Sequence, residues 1–405
     1  MGASNGPLKG MKVIELAHVM AGPTCGRMLA DMGADVIKVE RVPDGDDTRR
    51  FLPPDIEGES AAFMMMNRNK RGIAINLKNP DGRDVLLKML EDADAVLENY
   101  RADTLSKLGL GYEDLKVHNP GLIYCAISGF GRTGPYASRG GYDLIAQGMS
   151  GLISITGEAP GREPVKVGAP VTDITAGILG ALGVAAAYAH KLKTGEGQMV
   201  DTSLFEAGIT HTYWQSAIAL ATGEAPGPMG SRHPLNAPYQ AFRTKDGWIN
   251  IGASNTRNWQ RLVDLLGRPE LADDPRFEDG AARMANIDAM VDILNTTFET
   301  RPQAEWLSAL EAVGIPAGPV LDINEMNADP HTLARDMVVE VDHPTAGPVK
   351  TIGCPVKFSK TPGGVESAAP LFGQHTREVL IEHGYEVTQI DTLITGGAVM
   401  AGPAD

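Results

Sequence analysis

Strand, helix and strand follow one another with short joins through the first third of the chain, and few folds accommodate that rhythm. Met11-Lys12-Val13-Ile14-Glu15-Leu16 reads as a strand, Gly22 to Met32 as a helix, and Ala34-Asp35-Val36-Ile37-Lys38-Val39-Glu40 as a second strand. Such a crossover makes the two strands parallel. The pattern repeats through Gly72 to Leu77, a helix around Gly82 to Ala93, Ala95 to Glu98, and Leu122 to Ser128. A doubly wound, Rossmann-like α/β sheet is the economical reading.

A chain of 405 residues exceeds one ordinary core. The rhythm breaks from Ala221 to Arg232 into Gly, Pro, Met and Ser, and amphipathic stretches then run to Ala312, with Leu262, Leu265 and Leu266 on one side. The expected organisation is a large domain over 1–225, a smaller α+β domain over 226–319, and a segment 320–405 that returns to the large domain. That last segment carries Lys350 to Val356 and a helix from Thr376 to His383. Gly396 to Asp405 reads as a disordered tail. With 47 Gly but only 9 Phe, 9 Tyr and 4 Trp, the chain is rich in turns and close backbone approaches.

Thirty-six Lys and Arg against 51 Asp and Glu give a formal charge of −15, which argues against nucleic acid or an anionic membrane as a partner. No apolar stretch reads as long enough to cross a membrane, and no secretion signal opens the chain. Met1 to Gly6 resembles a myristoylation start, but Gly6 stands where Ser or Thr is wanted. Cys25, Cys125 and Cys354 are far apart in sequence, and the nine histidines show no HExxH or other metal-ligand spacing. No metal site and no tightly bound cofactor are expected, and the setting implied is a reducing cytoplasm.

Asp173 is the only charge between Val167 and Gly183, where an extended segment turns into a helix. A carboxylate there is either a helix cap or a nucleophile. Gly129-Phe130-Gly131-Arg132-Thr133-Gly134 matches a dinucleotide pattern, but Pro135, Tyr136 and Gly140-Gly141 continue a loop where a helix is required. Glu40 reads as a salt-bridged strand end. Arg41, Arg49, Lys70, Arg71, Lys78, Lys107, Arg132 and Arg139 lie near strand ends or loops. They read either as solvated surface or as cations for a phosphorylated ligand.

Taken in order, several segments resemble the class III coenzyme A transferases, a family that includes formyl-CoA transferase, carnitine CoA-transferase and the α-methylacyl-CoA racemases. They are Ile14 to Pro23, Gly33 to Glu40, Asn67 to Arg71, Glu98-Asn99-Tyr100, Gly109 to Tyr112, Lys193 to Gln198 and Leu371 to Thr376. The resemblance spans nearly the whole chain. It implies Asp173 as the catalytic residue and CoA contacts at Val19, Met20, Ala21, Arg41, Ile75, Lys78, Asn99, Tyr100 and Lys107. Two departures stand out: Met20 replaces a family Gln, and Gly140 replaces a family Lys, whose charge the adjacent Arg139 is then expected to supply. Tyr142 occupies the position of the racemase His, and a phenol with a reference pKa of about 10 is a poor proton shuttle near neutrality. The glycine run of formyl-CoA transferases is absent after Trp248 to Ile251. Gly45 to Arg49, Gly141-Tyr142-Asp143 and Pro238 to Phe242 look most like members that move CoA from succinyl-CoA to short dicarboxylic acids.

The resemblance therefore implies acyl-CoA and small carboxylic acids as partners, an interlocked homodimer, and aspartyl anhydride and aspartyl-CoA intermediates on Asp173. It leaves open whether a second, related subunit is needed. Asp173 is expected to be ionised at neutrality, since a free aspartate has a pKa of about 3.9. Tyr142 and Asp143 are expected beside it, and Arg49, His233 and Tyr239 at the acceptor. Two other readings stay open, an α-proton isomerase acting on acyl-CoA and a catalytically silent CoA-binding subunit.

Overall fold

Alternate residues of the early strands feed two separate apolar cores. In the computed structural model, which describes residues 5–402, these strands are β1 (Lys12–Glu15), β2 (Asp35–Arg41), β3 (Lys70–Ile75), β4 (Ala95–Glu98), β5 (Ile123–Ser128) and β6 (Met199–Ser203). All six are parallel, in the spatial order β3-β2-β1-β4-β5-β6. Val13, Val36, Leu97, Cys125 and Ile127 point into one core, and Ile14, Ile37, Val39, Val96 and Tyr124 into the other. A period of two with both faces apolar is what a sheet covered on both sides requires. Helices α1 (Ala21–Asp31) and α4 (Val171–Thr194) cover the first face, and α2 (Pro80–Leu90) covers the second. Helix α3 (Asp143–Met149) precedes α4 in the chain.

Two expectations about this region are corrected. Helix α4 is by length and apolarity long enough to cross a membrane, contrary to the sequence reading. Its Ala176, Ala181, Val184 and Ala187 are instead buried in the core beside α1. The tail is not free either: Val399–Met400 pairs antiparallel with Ile75 and Ala74 at the sheet edge. Sequence hid this strand because two residues carry no pattern. Met1 to Ser4, with most of the myristoylation-like start, and Pro403 to Asp405 lie outside the described residues.

The chain forms two compact units, one of Met1–Leu152, Lys166–Ser216 and Pro330–Asp405, the other of Ile153–Val165 and Ala217–Asp329. Buried pairing holds the last segment of the first unit. Arg71 bonds Asp35, Glu378 and Glu382, and the Asn69 side chain bonds Asp31, Gly364, Glu366 and Ser367. The second unit is an antiparallel sheet of β7 (Tyr239–Arg243), β8 (Trp248–Gly252) and β9 (Ala317–Pro319), with Phe242, Trp259, Phe277, Phe298 and Trp306 in its core.

One close approach positions the chemistry. A Cβ on Gly177 would lie 2.5 Å from the Ala21 carbonyl oxygen and 2.5 Å from Thr24 Cβ. Gly177 is therefore where α4 presses against the first turn of α1, and Asp173, one turn earlier on the same face, is set beside the start of α1. In an exposed helix Gly→Ala gains about 1 kcal/mol. Here the added methyl meets backbone, an overpacking cost of about 1–3 kcal/mol or more. Gly177→Ala should thus lower the melting temperature by a few degrees, and an equal or higher midpoint would show that the helices do not meet this closely.

Candidate active site

Between β1 and β4 the chain leaves the carboxyl edge of the sheet in opposite directions, which opens a crevice. A cavity of about 760 Å³ occupies it. Its wall is built from Val19-Met20-Ala21 after β1, Asn99-Tyr100-Arg101 after β4, Ser128-Gly129 at the end of β5, Arg139 to Tyr142, and Asp173. One glycine of the sequence set aside as a dinucleotide motif, Gly129, has a structural use here. A Cβ on Gly141 would lie 2.5 Å from Gly129 Cα, so only this pair lets the Arg139 to Tyr142 loop close over β5.

The loop after β1 is gripped from two sides. Asn99 accepts from His18 N at 3.0 Å and donates to His18 O at 2.8 Å. Asp46 accepts from Val19 N at 3.2 Å, from Thr48 N at 2.9 Å and from Thr48 Oγ1 at 2.7 Å. Lys38 Nζ lies 2.9 Å from Asp46 and donates to Ala17 O at 2.8 Å. Burial alone would raise the Asp46 pKa, but the Lys38 charge and these hydrogen bonds outweigh it and hold the carboxyl well below the usual range. Val19 itself stands at φ 68°, a left-handed conformation that costs a β-branched residue about 1–3 kcal/mol.

Asp173 is the third residue of α4, where a capping carboxylate would be expected to bond backbone N–H groups. Another residue takes that role. Asp143 accepts from Thr172 N at 3.0 Å, from Thr172 Oγ1 at 2.8 Å and from Gln147 Nε2 at 2.8 Å. Among the described residues no hydrogen bond reaches the Asp173 carboxylate. Burial first, and the Asp143 charge second, push its pKa up to about 7. The expectation of a fully ionised aspartate at neutrality is therefore corrected: this group is poised near its midpoint.

The structure brings Val19, Met20, Ala21, Asn99, Tyr100, Arg139, Tyr142 and Asp173 to one cavity. Tyr142 is 77% exposed, and Arg139 stacks 3.9 Å above the Tyr136 ring. Asp143 adjoins the site with its oxygens occupied by Thr172 and Gln147, so its geometry is that of a support for α4. Arg41 and Ile75 lie outside the cavity but are register partners at the ends of β2 and β3. Ile75 is fully buried, and Lys78 follows it on the same edge. Lys107 lies 3.6 Å from Asp103, exposed and apart from the cavity. Arg49 is not brought to the cavity: its guanidinium bonds Glu40 at 2.7 Å and Pro370 O at 3.0 Å, and sits 3.6 Å from the Phe63 ring centroid. His233 and Tyr239 belong to the second unit, with ring centroids 5.3 Å apart.

Lys70, Arg71 and Arg132 prove neither solvated nor free for a ligand. Lys70 is buried against Glu15 at 2.8 Å, Arg71 holds three carboxylates, and Arg132 pairs with Glu98. Sequence reasoning missed Arg50 and Arg101 on the cavity wall. Arg101 was legible in principle, two positions beyond Asn99 at a strand end facing the crevice.

An α/β protein with a ligand-sized cavity at its strand-order reversal, and an unpartnered carboxylate on the wall, has the anatomy of an enzyme that works on a bound small molecule. The chain belongs to CoA-transferase family III, whose pattern matches residues 8–376. A succinate–glutarate CoA-transferase of Agrobacterium fabrum is 42% identical over 382 residues, covering 93% of this chain and 95% of that protein. A succinyl-CoA:mesaconate CoA-transferase of Haloarcula marismortui is 39% identical over 394 residues, covering 94% of this chain and 97% of the relative. The crystal structure of a CAIB/BAIF family protein from Brucella suis superposes with a TM-score of 0.84 at 40% identity, covering 94% of this chain and all of that one.

The environment of Asp173 has a consequence for stability that does not depend on turnover. Its folded pKa of about 7 exceeds the unfolded value of about 3.9, so ionisation costs the folded state increasingly from about pH 4 to pH 7, and fully above that. The gap corresponds to at most about 4 kcal/mol, which solvent at the open side of the cavity reduces to about 1–2 kcal/mol. Asp173→Asn should therefore be more stable than wild type by about that amount at pH 8, and equal to it near pH 4. Denaturant melts at the two pH values check this; a variant no more stable at pH 8 would contradict the assigned environment.

Proposed function

We propose that this protein moves CoA from succinyl-CoA to a short dicarboxylic acid through covalent intermediates on Asp173. The observation that carries the reading is the Asp173 carboxylate itself, on the cavity wall with no hydrogen bond among the described residues and its pKa lifted to about 7. A carboxylate deprived of donors is a stronger nucleophile than a solvated one, and it needs no partner base.

Asp173 attacks the thioester carbonyl, the carbon–sulfur bond breaks, and CoA thiolate leaves a mixed anhydride. The thiolate then attacks the aspartyl carbonyl, which releases succinate and forms an aspartyl-CoA thioester. The acceptor carboxylate runs the two steps in reverse. Water must be kept from the anhydride while it lasts, or transfer becomes hydrolysis. Holding thioester and Asp173 together contributes through effective molarities of about 10⁵ M or more.

The placement of the remaining residues supports CoA as the ligand. Val19 to Ala21, Asn99 and Tyr100 line the cavity, and Arg41, Ile75 and Lys78 continue along the carboxyl edge of β2 and β3. An elongated, phosphorylated molecule with its thioester at Asp173 fits such a track. Arg101 and Arg139 put positive charge on the wall, suited to the second carboxylate of the acceptor. The names of the relatives point to glutarate-like or mesaconate-like acids.

Intact-protein mass spectrometry after incubation with succinyl-CoA should reveal a CoA adduct on wild type and none on Asp173→Ala. The yield should rise as pH passes through about 7, where Asp173 ionises. Glutarate should discharge the adduct as glutaryl-CoA faster than butyrate discharges it. An adduct that persists in Asp173→Ala would remove this residue from the mechanism.

We also propose an interlocked homodimer working in the cytoplasm. Leu182 and Leu192 of α4 expose 65% and 70% of their surface, which offers apolar side chains to a second copy. All three cysteines are free thiols, which suits a reducing compartment. Sedimentation velocity at micromolar concentration should give a dimer, and a stable monomer would end this proposal.

A further inference from the structure

Among the described residues four non-glycine positions have positive φ: Val19, Glu57, Asn69 and Asp336. Val19 is the β-branched one, and the one on the cavity wall. A Val left to itself adopts extended or right-handed helical backbone. Something must therefore hold it, and the holding group is identifiable. The peptide unit joining His18 and Val19 is gripped at both ends: its carbonyl accepts from Asn99 Nδ2 at 2.8 Å, and its N–H donates to the Asp46 carboxylate at 3.2 Å. Asp46 is 3% exposed and 27 residues away in sequence, after β2. The same carboxylate oxygen, Oδ2, is anchored at 2.9 Å by Lys38, which is fully buried and tied in turn to Glu15 at 3.2 Å, while Thr48 holds Oδ1.

Immediately after Val19 the chain enters α1 with Met20 at the cap position. A methionine side chain has no oxygen to cap the helix, and Pro23 has no N–H, so Met20, Ala21 and Gly22 hold the first-turn donors that no intrahelical carbonyl reaches. Met20 and Ala21 line the cavity. We propose that Asp46, anchored by Lys38, is a positioning residue for CoA: it keeps Val19 left-handed and thereby holds the opening N–H groups of α1 where the thioester end of CoA binds. This rests on the CoA-transferase reading for its ligand. If Val19 relaxes, the peptide ahead of Met20 swings and the donors lose their aim, although the core beneath them is unchanged.

The test is a double-mutant cycle read by calorimetric binding of CoA itself, which needs no turnover. Asp46→Asn should weaken CoA about tenfold while the protein stays folded by circular dichroism. Val19→Gly alone should bind CoA more weakly by the loss of the Val19 side chain from the cavity wall, and it sets the reference for the cycle, because glycine adopts positive φ freely. Against that reference Asp46→Asn should cost less than about twofold further, since the restraint is no longer needed. Thr48→Val, which removes one bond aiming Asp46, should weaken CoA about two- to threefold, and again by less in the Val19→Gly background. That pair carries the test if Asp46→Asn does not fold.

An Asp46→Asn protein that folds and binds CoA as wild type does would overturn the proposal. A loss just as large in the Val19→Gly background would overturn it equally, by assigning the effect to the buried charge on Lys38 alone. Wild type that binds CoA but transfers none would defeat the transfer reading and leave the positioning role standing. Wild type that binds no CoA would defeat both.

Discussion

Glu15, at the end of β1 and wholly buried, is the group on which the site is built. It sits between two buried ammonium groups, Lys38 on β2 at 3.2 Å and Lys70 on β3 at 2.8 Å, and so ties three adjacent strands together below their carboxyl ends. Burial drives the Lys70 pKa down to about 8 despite the Glu15 charge, a sign of how dry the surroundings are. Replacing the whole cluster by apolar groups would be near neutral in stability, but removing one member costs about 3–5 kcal/mol by leaving a buried charge unpaired. Such a cluster therefore acts less as a source of stability than as a fixed reference from which loops can be aimed.

That reference reaches the chemistry through short chains of contact. Lys38 passes from Glu15 to Asp46 and Ala17 O, and Asp46 passes to Val19. On the other face Gly177 lets α4 touch the first turn of α1, which brings Asp173 to the same spot from a different part of the chain. Residues from β1, β4, β5 and α4 thus meet at the strand-order reversal, where the fold necessarily leaves an opening. Strain at Val19 is concentrated there, and the buried charges beneath it are what can sustain it.

How much of this was legible depended on whether the cause was local. Alternation in Val13-Ile14 and Val36-Ile37, with short joins, announced the parallel sheet because each strand must satisfy two cores by itself. Asp173 stood out as the lone charge in an apolar run, but whether it caps α4 was decided by Asp143, thirty positions earlier, which takes the Thr172 N–H. Lys70, Arg71 and Arg132 looked like surface because a sequence displays a charge without its partner. Arg49 suggested a substrate cation for the same reason, whereas Glu40 and Phe63 already occupy it. The apolarity of α4 was visible, yet whether core or lipid faces it is a matter of tertiary packing.

Three aspartates in one neighbourhood show how environment divides the work. Asp46 lies against Lys38 and Thr48 and is held firmly ionised. Asp143 receives three hydrogen bonds from Thr172 and Gln147 and spends its oxygens on the entry to α4. Asp173 receives none among the described residues, faces the cavity, and has the charge of Asp143 for company, so its proton is held to about pH 7. The same chemical group thus becomes an anchor, a helix cap and a carboxylate poised near neutrality according to the donors supplied to it. Capping α4 from outside is what makes the third role possible. Had Asp173 capped its own helix, the N–H bonds would have lowered its pKa and blunted its oxygen, and by delegating the cap to Asp143 the fold keeps one carboxylate underserved on the cavity wall.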